Sequence, residues 1–129
     1  MGKKIERFED LEVWQKAIDI AVDIYRLSES GKLSKDYDSK SQIRRAANSI
    51  SNNIAEGFEY NNNSEFVRFL KYAKGSAGEV RNQLHLLKKI GYIDEPIFDS
   101  MYNKIIELSQ QIANFIKYLR KFETTKKPK

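Results

Sequence analysis

The chain has 129 residues, 40% of them apolar and 32% charged, with a net charge of +5. That length carries one domain with a real core, and that balance of apolar and charged residues excludes a disordered chain. The absence of cysteine excludes a disulfide scaffold, a thiolate zinc site and a cysteine nucleophile, and fits a reducing cytoplasm.

Two prolines and six glycines favour long, uninterrupted helices. No run approaches the ~18 apolar residues of a membrane-spanning helix. Met1-Gly2-Lys3-Lys4-Ile5-Glu6 lacks the apolar stretch of a signal peptide, and Glu6 stands where myristoylation needs Ser or Thr. The expectation is a cytoplasmic protein without membrane association. Charge is uneven along the chain. Residues 1–63 hold ten Lys/Arg against eleven Asp/Glu, net −1, whereas residues 64–129 hold thirteen against seven, net +6. A basic half points to an anionic partner such as nucleic acid; a solvated helix surface with a basic tail would give the same count.

The first predicted helix covers about residues 9–27. Glu9, Asp10 and Glu12 suit a helix start. Leu11, Trp14, Ile18, Ala21 and Tyr25 keep helical spacing, and Val13, Ala17, Ile20, Ile24 and Leu27 form a second apolar row. The apolar arc is roughly twice the ~100° that faces a single core, so the surplus requires another subunit or two neighbours within the bundle. Asp19 and Asp23, with Lys16 and Arg26 near, read as an exposed ion-paired strip. Ser28 to Asp38 reads as a connection broken at Gly31 and anchored by Leu33 and Tyr37.

The second helix, about 38–57, has Ile43, Ala47, Ile50 and Ile54 on one stripe and ends at Gly57, a residue suited to a left-handed cap. Its polar faces are the strongest functional candidate. Arg45, Ser49, Asn52 and Glu56 follow one row; Arg44, Asn48, Ser51 and Ala55 follow the next. Arg, Asn and Ser suit phosphate or base-edge contacts and equally suit a subunit interface where Arg of one chain meets Glu of another. Arg44, Arg45, Asn48, Asn52 and Glu56, with Trp14 of the first helix, form the candidate oligomer interface.

Phe58 to Asn63 reads as a turn. A third helix, about 64–90, is capped by Asn63 or Ser64. It carries Phe66, Leu70, Ala73, Ala77, Val80, Leu84 and Leu87 at bundle spacing. Gly75 and Gly78 in mid-helix cost ~1 kcal/mol each against Ala, so they imply close approach by a neighbouring helix or another subunit. A phosphate cradle is disfavoured, because such a loop opens a helix rather than interrupting one. Gly91 ends this helix. Asp94-Glu95-Pro96 starts a fourth, about 95–122, with Phe98, Met101, Ile105, Leu108, Ile112, Phe115, Leu119 and Phe122 in unbroken alternation. From Thr124 a basic disordered tail is expected, which makes residues 1–123 the domain. These elements predict an all-α, up-down-up-down antiparallel four-helix bundle. Arg68, Lys71, Lys74, Arg81, Lys88 and Lys89 of the third helix, with Lys117, Arg120 and Lys121 of the fourth, are the candidate nucleic-acid surface.

Enzymatic signals are poor. His85 stands alone, without a second member for a metal cluster or a Ser-His dyad, and no Glu-x-x-His pair suggests a di-iron bundle. No cofactor and no metal are expected.

Several ordered stretches resemble the four-helix-bundle family of 23S rRNA intervening-sequence proteins. They are Phe8-Glu9-Asp10-Leu11-Glu12-Val13-Trp14-Gln15-Lys16-Ala17, Gln42-Ile43-Arg44-Arg45-Ala46-Ala47-Asn48-Ser49-Ile50 and Asn53-Ile54-Ala55-Glu56-Gly57. Glu65-Phe66-Val67-Arg68-Phe69-Leu70, Gly75-Ser76 with Glu79, and Gly91-Tyr92-Ile93 continue the likeness, which spans about residues 8–120. The resemblance implies a bacterial, non-enzymatic bundle assembled as a ring-shaped homopentamer. Some members are encoded within insertions in large-subunit rRNA genes. A relative, the accessory variability determinant of diversity-generating retroelements, binds nucleic acid and a reverse transcriptase through a basic surface. The chain departs from the pattern at Ser51, where many members have proline, and at Glu59-Tyr60, where many have Gly-Arg. The expectation is an RNA- or DNA-binding homo-oligomer; a scaffold or adaptor binding only protein, such as a reverse transcriptase, is the alternative.

Overall fold

The computed structural model describes residues 4–126, with side chains through residue 122. A 3-10 turn, Phe8–Asp10, precedes five α-helices: α1 (Glu12–Leu27), α2 (Gly31–Lys35), α3 (Tyr37–Glu59), α4 (Asn63–Lys89) and α5 (Glu95–Lys126). No strand occurs among the described residues.

The helix ends follow local hydrogen-bond chemistry. Asp10 does not open α1; its carboxylate accepts from the backbone N–H groups of Glu6 (3.0 Å) and Arg7 (3.2 Å) and closes the preceding turn. The connection expected over residues 28–38 contains α2, which buries Leu33 while Tyr37 stays 74% exposed. Leu33 therefore anchors this corner and Tyr37 does not. Asp36 caps α3 by accepting from the Ser39 N–H at 3.2 Å, and the Tyr92 hydroxyl donates to the same carboxylate at 2.9 Å. One aspartate thus ties the α2–α3 corner to the α4–α5 connection. At the start of α4 the cap is Asn62, not Asn63 or Ser64; its side-chain oxygen accepts from the Glu65 N–H at 2.9 Å. Beyond α4, Gly91 takes φ +83°, the left-handed geometry that favours glycine after a helix. Asp94 then accepts from the Ile97 N–H at the start of α5. The last helix runs past the expected end at 122 to Lys126, since no helix breaker precedes Pro128. The rest of the expected tail, residues 127–129, lies outside the described residues.

The apolar stripes meet in one core. Ile43, Ile50 and Ile54 of α3, Leu70, Val80 and Leu84 of α4, and Ile105, Leu108 and Ile112 of α5 are completely buried, as is Ile24 of α1. Each such side chain contributes roughly 1.5–3 kcal/mol through burial. Helix α4 packs on α3 and α5, and α1 packs on the same two. Cross-helix contacts pair Ser49 with Ser76 and Gln42 with Gln83 between α3 and α4. Phe66 meets Phe115, and His85 meets Phe98, between α4 and α5.

Two glycine readings change. Gly57 does not cap α3, which continues to Glu59; the left-handed residue of the following turn is Asn61, φ +55°. Gly57 is instead a packing residue. A Cβ there would lie 2.6 Å from the Cβ of Phe69 and 3.1 Å from Cδ1 of Phe66, so α3 can lie against α4 only with no side chain at this point. Gly75 and Gly78 show the opposite: a Cβ at either meets nothing within 4 Å. No neighbouring helix of the chain approaches them.

This contrast predicts opposite signs for one chemical change. Gly57→Ala forces overpacking, ~1–3 kcal/mol unfavourable, only partly offset by a propensity gain of ~1 kcal/mol. Gly75→Ala carries the gain alone, so urea denaturation should show Gly57→Ala less stable than the parent and Gly75→Ala more stable by about 1 kcal/mol. Equal shifts in the two variants would contradict the packing role of Gly57.

A second prediction concerns pH. The Ser39 N–H, followed by the Tyr92 hydroxyl, holds the Asp36 carboxyl below its ordinary pKa, while donation to Asp36 holds the Tyr92 phenol above its own. A depressed acid stabilises the fold above its unfolded pKa, roughly pH 4, and loses that effect as pH falls through the folded value. A raised phenol stabilises below roughly pH 10 and loses its effect as pH rises through its folded value. Tyr92→Phe should therefore lower the melting temperature between these limits and narrow its gap to the parent at both extremes. A gap constant across pH would exclude the linkage.

Candidate functional site

The nine basic residues singled out on the third and fourth predicted helices do not form one patch. Lys71 and Lys89 alone are separated by about 27 Å along α4 at 1.5 Å per residue. Five of the nine are engaged within the chain. Arg68 donates from Nη2 to Glu65 Oε1 at 2.9 Å and from Nη1 to the Tyr72 hydroxyl at 2.9 Å; these bonds, Glu65 foremost, hold its pKa above the ordinary arginine value. Lys88 pairs with Glu95 at 3.2 Å and lies 4.6 Å from the Phe98 ring centroid. Arg81 is partly buried, with its guanidinium 6.0 Å from the Tyr102 ring centroid. Lys71, Lys74, Lys89 and Lys117 are exposed, and none has a carboxylate within ion-pair distance among the described residues. Arg120 and Lys121 are exposed on α5 but engaged in contacts of their own. The exposed lysines without a carboxylate partner are therefore Lys71, Lys74 and Lys89 of α4 and Lys117 of α5.

The α1 side is different. Asp23 pairs with Lys104 at 2.7 Å and Lys16 pairs with Glu107 at 3.3 Å. The expected ion-paired strip within α1 is thus replaced by bridges from α1 to α5, with only Lys16–Glu12 lying along the helix. Sequence spacing could show the i,i+4 pair but not which helix would face α1.

The six candidate interface residues also divide. Arg44 donates to the Ser28 hydroxyl at 2.7 Å and its guanidinium lies 4.3 Å from the Tyr25 ring centroid; Asn48 donates to the Tyr25 hydroxyl at 2.9 Å. These two hold Tyr25 in place, an organising role that the sequence did not reveal because their partners are on α1. Arg45 donates to Ser41 one turn away at 2.7 Å. Asn52 and Glu56 are exposed, and their side chains make no hydrogen bond or ion pair among the described residues. Trp14 is half-buried, 5.3 Å from Phe8 between ring centroids. The structure brings Arg44 and Asn48 together around Tyr25; Arg45 and Glu56 stay about 16 Å apart along α3. Part of α1's apolar surplus is absorbed by this packing, yet Val22 and Tyr25 remain 41% and 37% exposed.

His85 lies on an exposed position against the rings of Phe98 and Tyr102, with centroids 5.0 and 5.3 Å away. Its neighbours are aromatic rather than acidic or nucleophilic. No cluster of three or more His, Cys, Asp or Glu side chains able to hold a metal ion occurs among the described residues. No helix there is long and apolar enough to cross a membrane.

Comparison with known proteins agrees with this all-helical architecture. A crystal structure of a protein of unknown function from the S23 ribosomal protein family of Bacteroides thetaiotaomicron superposes with a TM-score of 0.74 at 28% identity, covering 81% of this chain and 98% of that one. Among curated proteins no sequence matches. Residues 9–114 match the family described as 23S rRNA-intervening sequence protein. That match spans most of the helical core, and the chain belongs to the 23S rRNA-intervening sequence protein family.

Proposed function

We propose that this protein is a non-enzymatic, cytoplasmic homo-oligomer that binds RNA through the outer side of α4 and the adjoining turns of α5. Its long helices α1, α3, α4 and α5 form the up-down-up-down four-helix bundle, with α2 as a small corner element. The observation that carries the reading is the set of exposed lysines, Lys71, Lys74, Lys89 and Lys117, without carboxylate partners. A lysine already neutralised within the chain gains little from a phosphate. An unneutralised one releases the counterions of the nucleic acid it binds. The family's name, with its link to 23S rRNA, makes RNA the first anion to test.

Replacing Lys71, Lys74 and Lys117 together with Glu should weaken RNA binding at least tenfold. It should also flatten the dependence of log K on log salt by about 2, from ~0.7 per single-strand phosphate contact. Fluorescence anisotropy across a salt series reads both quantities. Unchanged affinity and slope would exclude this surface.

Self-association is supported by a second observation, the exposure of Val22 and Tyr25 on α1 and of Asn52 and Glu56, whose side chains have no partner among the described residues, on α3. A pentameric ring would bury this α1–α3 face between neighbours. Val22→Glu places a charge in the apolar strip without touching the core. Light scattering should then fall from an oligomer to the 15.1 kDa monomer with the circular dichroism of the helices intact. A parent that is already monomeric, or a variant that stays oligomeric, would refute the assignment of this face. The alternative scaffold or adaptor, with a reverse transcriptase as one such protein partner, would keep the oligomer and show no RNA binding at any salt.

A further inference from the structure

The end of the bundle where α3 leaves and α4 begins carries a cleft of about 760 Å³. That size is within the ordinary range of small-ligand sites. Its wall is aromatic: Phe58 meets Phe66 edge-on at 5.8 Å, Phe66 meets Phe115 edge-on at 5.4 Å, and Phe115 and Tyr118 lie nearly parallel at 6.3 Å. The lining also has a polar part. Asn61, Asn63 and Ser64 form it, and their side chains make no hydrogen bond among the described residues. Tyr118 is 53% exposed, so part of its ring remains available to a ligand. Lys117, an exposed lysine without a partner, precedes it in α5.

The same end holds Tyr60 and Tyr72, 51% and 48% exposed, on either side of Phe69. Exposed rings interleaved with cations differ from a purely electrostatic patch. A duplex keeps its bases stacked inside and offers such a surface mainly its sugar-phosphate backbone. A single strand offers π-faces, which stack on aromatic side chains whatever the base, and base edges, which Asn and Ser can meet by hydrogen bonding.

We infer that the cleft between the α3–α4 turn and the last turns of α5 receives an unpaired base of single-stranded nucleic acid, with Tyr118 as its stacking surface and Asn61, Asn63 and Ser64 facing the base edges. This inference rests on the nucleic-acid reading above and narrows it from any polyanion to a strand with accessible bases. The phosphate flanking the bound base lies toward Lys117, which links the cleft to the basic side of α4 and α5.

The test compares a mixed-sequence 12-nucleotide single-stranded RNA with a blunt duplex of the same sequence by fluorescence anisotropy at one salt concentration. The parent protein should bind the single strand at least tenfold more tightly. Tyr118→Ala, at an exposed position, should lower single-strand affinity between about five- and a hundredfold, the worth of one base–aromatic stack, and leave duplex binding unchanged. Ser64→Glu provides a second variant, because a carboxylate in the first turn of α4 favours the helix while blocking the polar rim; it should give the same selective loss. Tyr37→Ala, at the other end of α3, should change neither affinity. Equal affinity for strand and duplex, with both lost in the Lys71, Lys74 and Lys117 variant, would overturn the cleft while leaving the nucleic-acid function in place. Absence of binding to either probe would overturn both.

Discussion

The approach of α3 to α4 sets the geometry on which the remaining features depend. At Gly57 the two helices come so near that a single added carbon would collide with Phe69. Farther along the same pair of helices Ala46 and Ala47 of α3 and Ala73 and Ala77 of α4 are all essentially buried. Small residues permit close helix contact, and larger side chains on neighbouring turns interdigitate above and below it. Because α4 is seated this way, its other flank is free to pack on α5, and Lys71 and Lys74 are directed outward. The same contact places Phe58 beside Phe66, joining the end of α3 to the aromatic wall of the end cleft.

Electrostatics separate the two sides of the bundle. On the α1 side, Asp23–Lys104 and Lys16–Glu107 join α1 to α5. These bridges are solvent-exposed, and each is worth little, typically ~0–1 kcal/mol, but they neutralise the charges involved. On the α4 side Lys71, Lys74 and Lys117 remain uncompensated. The net charge of the second half of the chain is consequently a weaker guide than the distribution of partners. The net value already offsets Arg68 and Lys88 against Glu65 and Glu95, to which they are bonded, but does not say where the remaining cations lie.

The helical stripes were legible because periodicity depends only on the chain's own spacing, and the buried rows of α3 and α4 fall on the residues that the spacing marks; that of α5 does so up to Ile112, whereas Phe115 is only partly buried and Phe122 is 42% exposed. What the spacing could not reveal was any feature that depends on a partner far along the chain. Gly57 read as a cap because a glycine near a helix end usually is one; its actual constraint is Phe69, twelve residues on. Gly75 and Gly78 read as a close approach, but only the placement of the other helices shows the space around them to be open. Likewise Arg44 and Asn48 stood out as polar residues on a helix face. Their attachment to Tyr25 and Ser28 of the preceding segment required the packed α1–α3 pair. Family likeness was legible from ordered motifs, whereas the division of nine basic residues into engaged and free ones was not.

The link from α3 to α4, Tyr60 to Asn62 with Asn63 as the first residue of α4, shows how composition and geometry together carry functional meaning. Three successive asparagines suit a turn, and Asn61 adopts the left-handed backbone that asparagine tolerates. Asn62 is consumed by capping α4. Local structure therefore accounts for two of the three through backbone geometry or capping, but for neither the amide of Asn61 nor that of Asn63, which both line the end cleft. Tyr118, in the same lining, keeps more than half of its surface exposed although the next residue, Leu119, is buried. A bundle needing only to close its end would favour apolar contact across this gap. Aromatic surface and unspent amides in the lining of one cleft instead suit a planar ligand with polar edges.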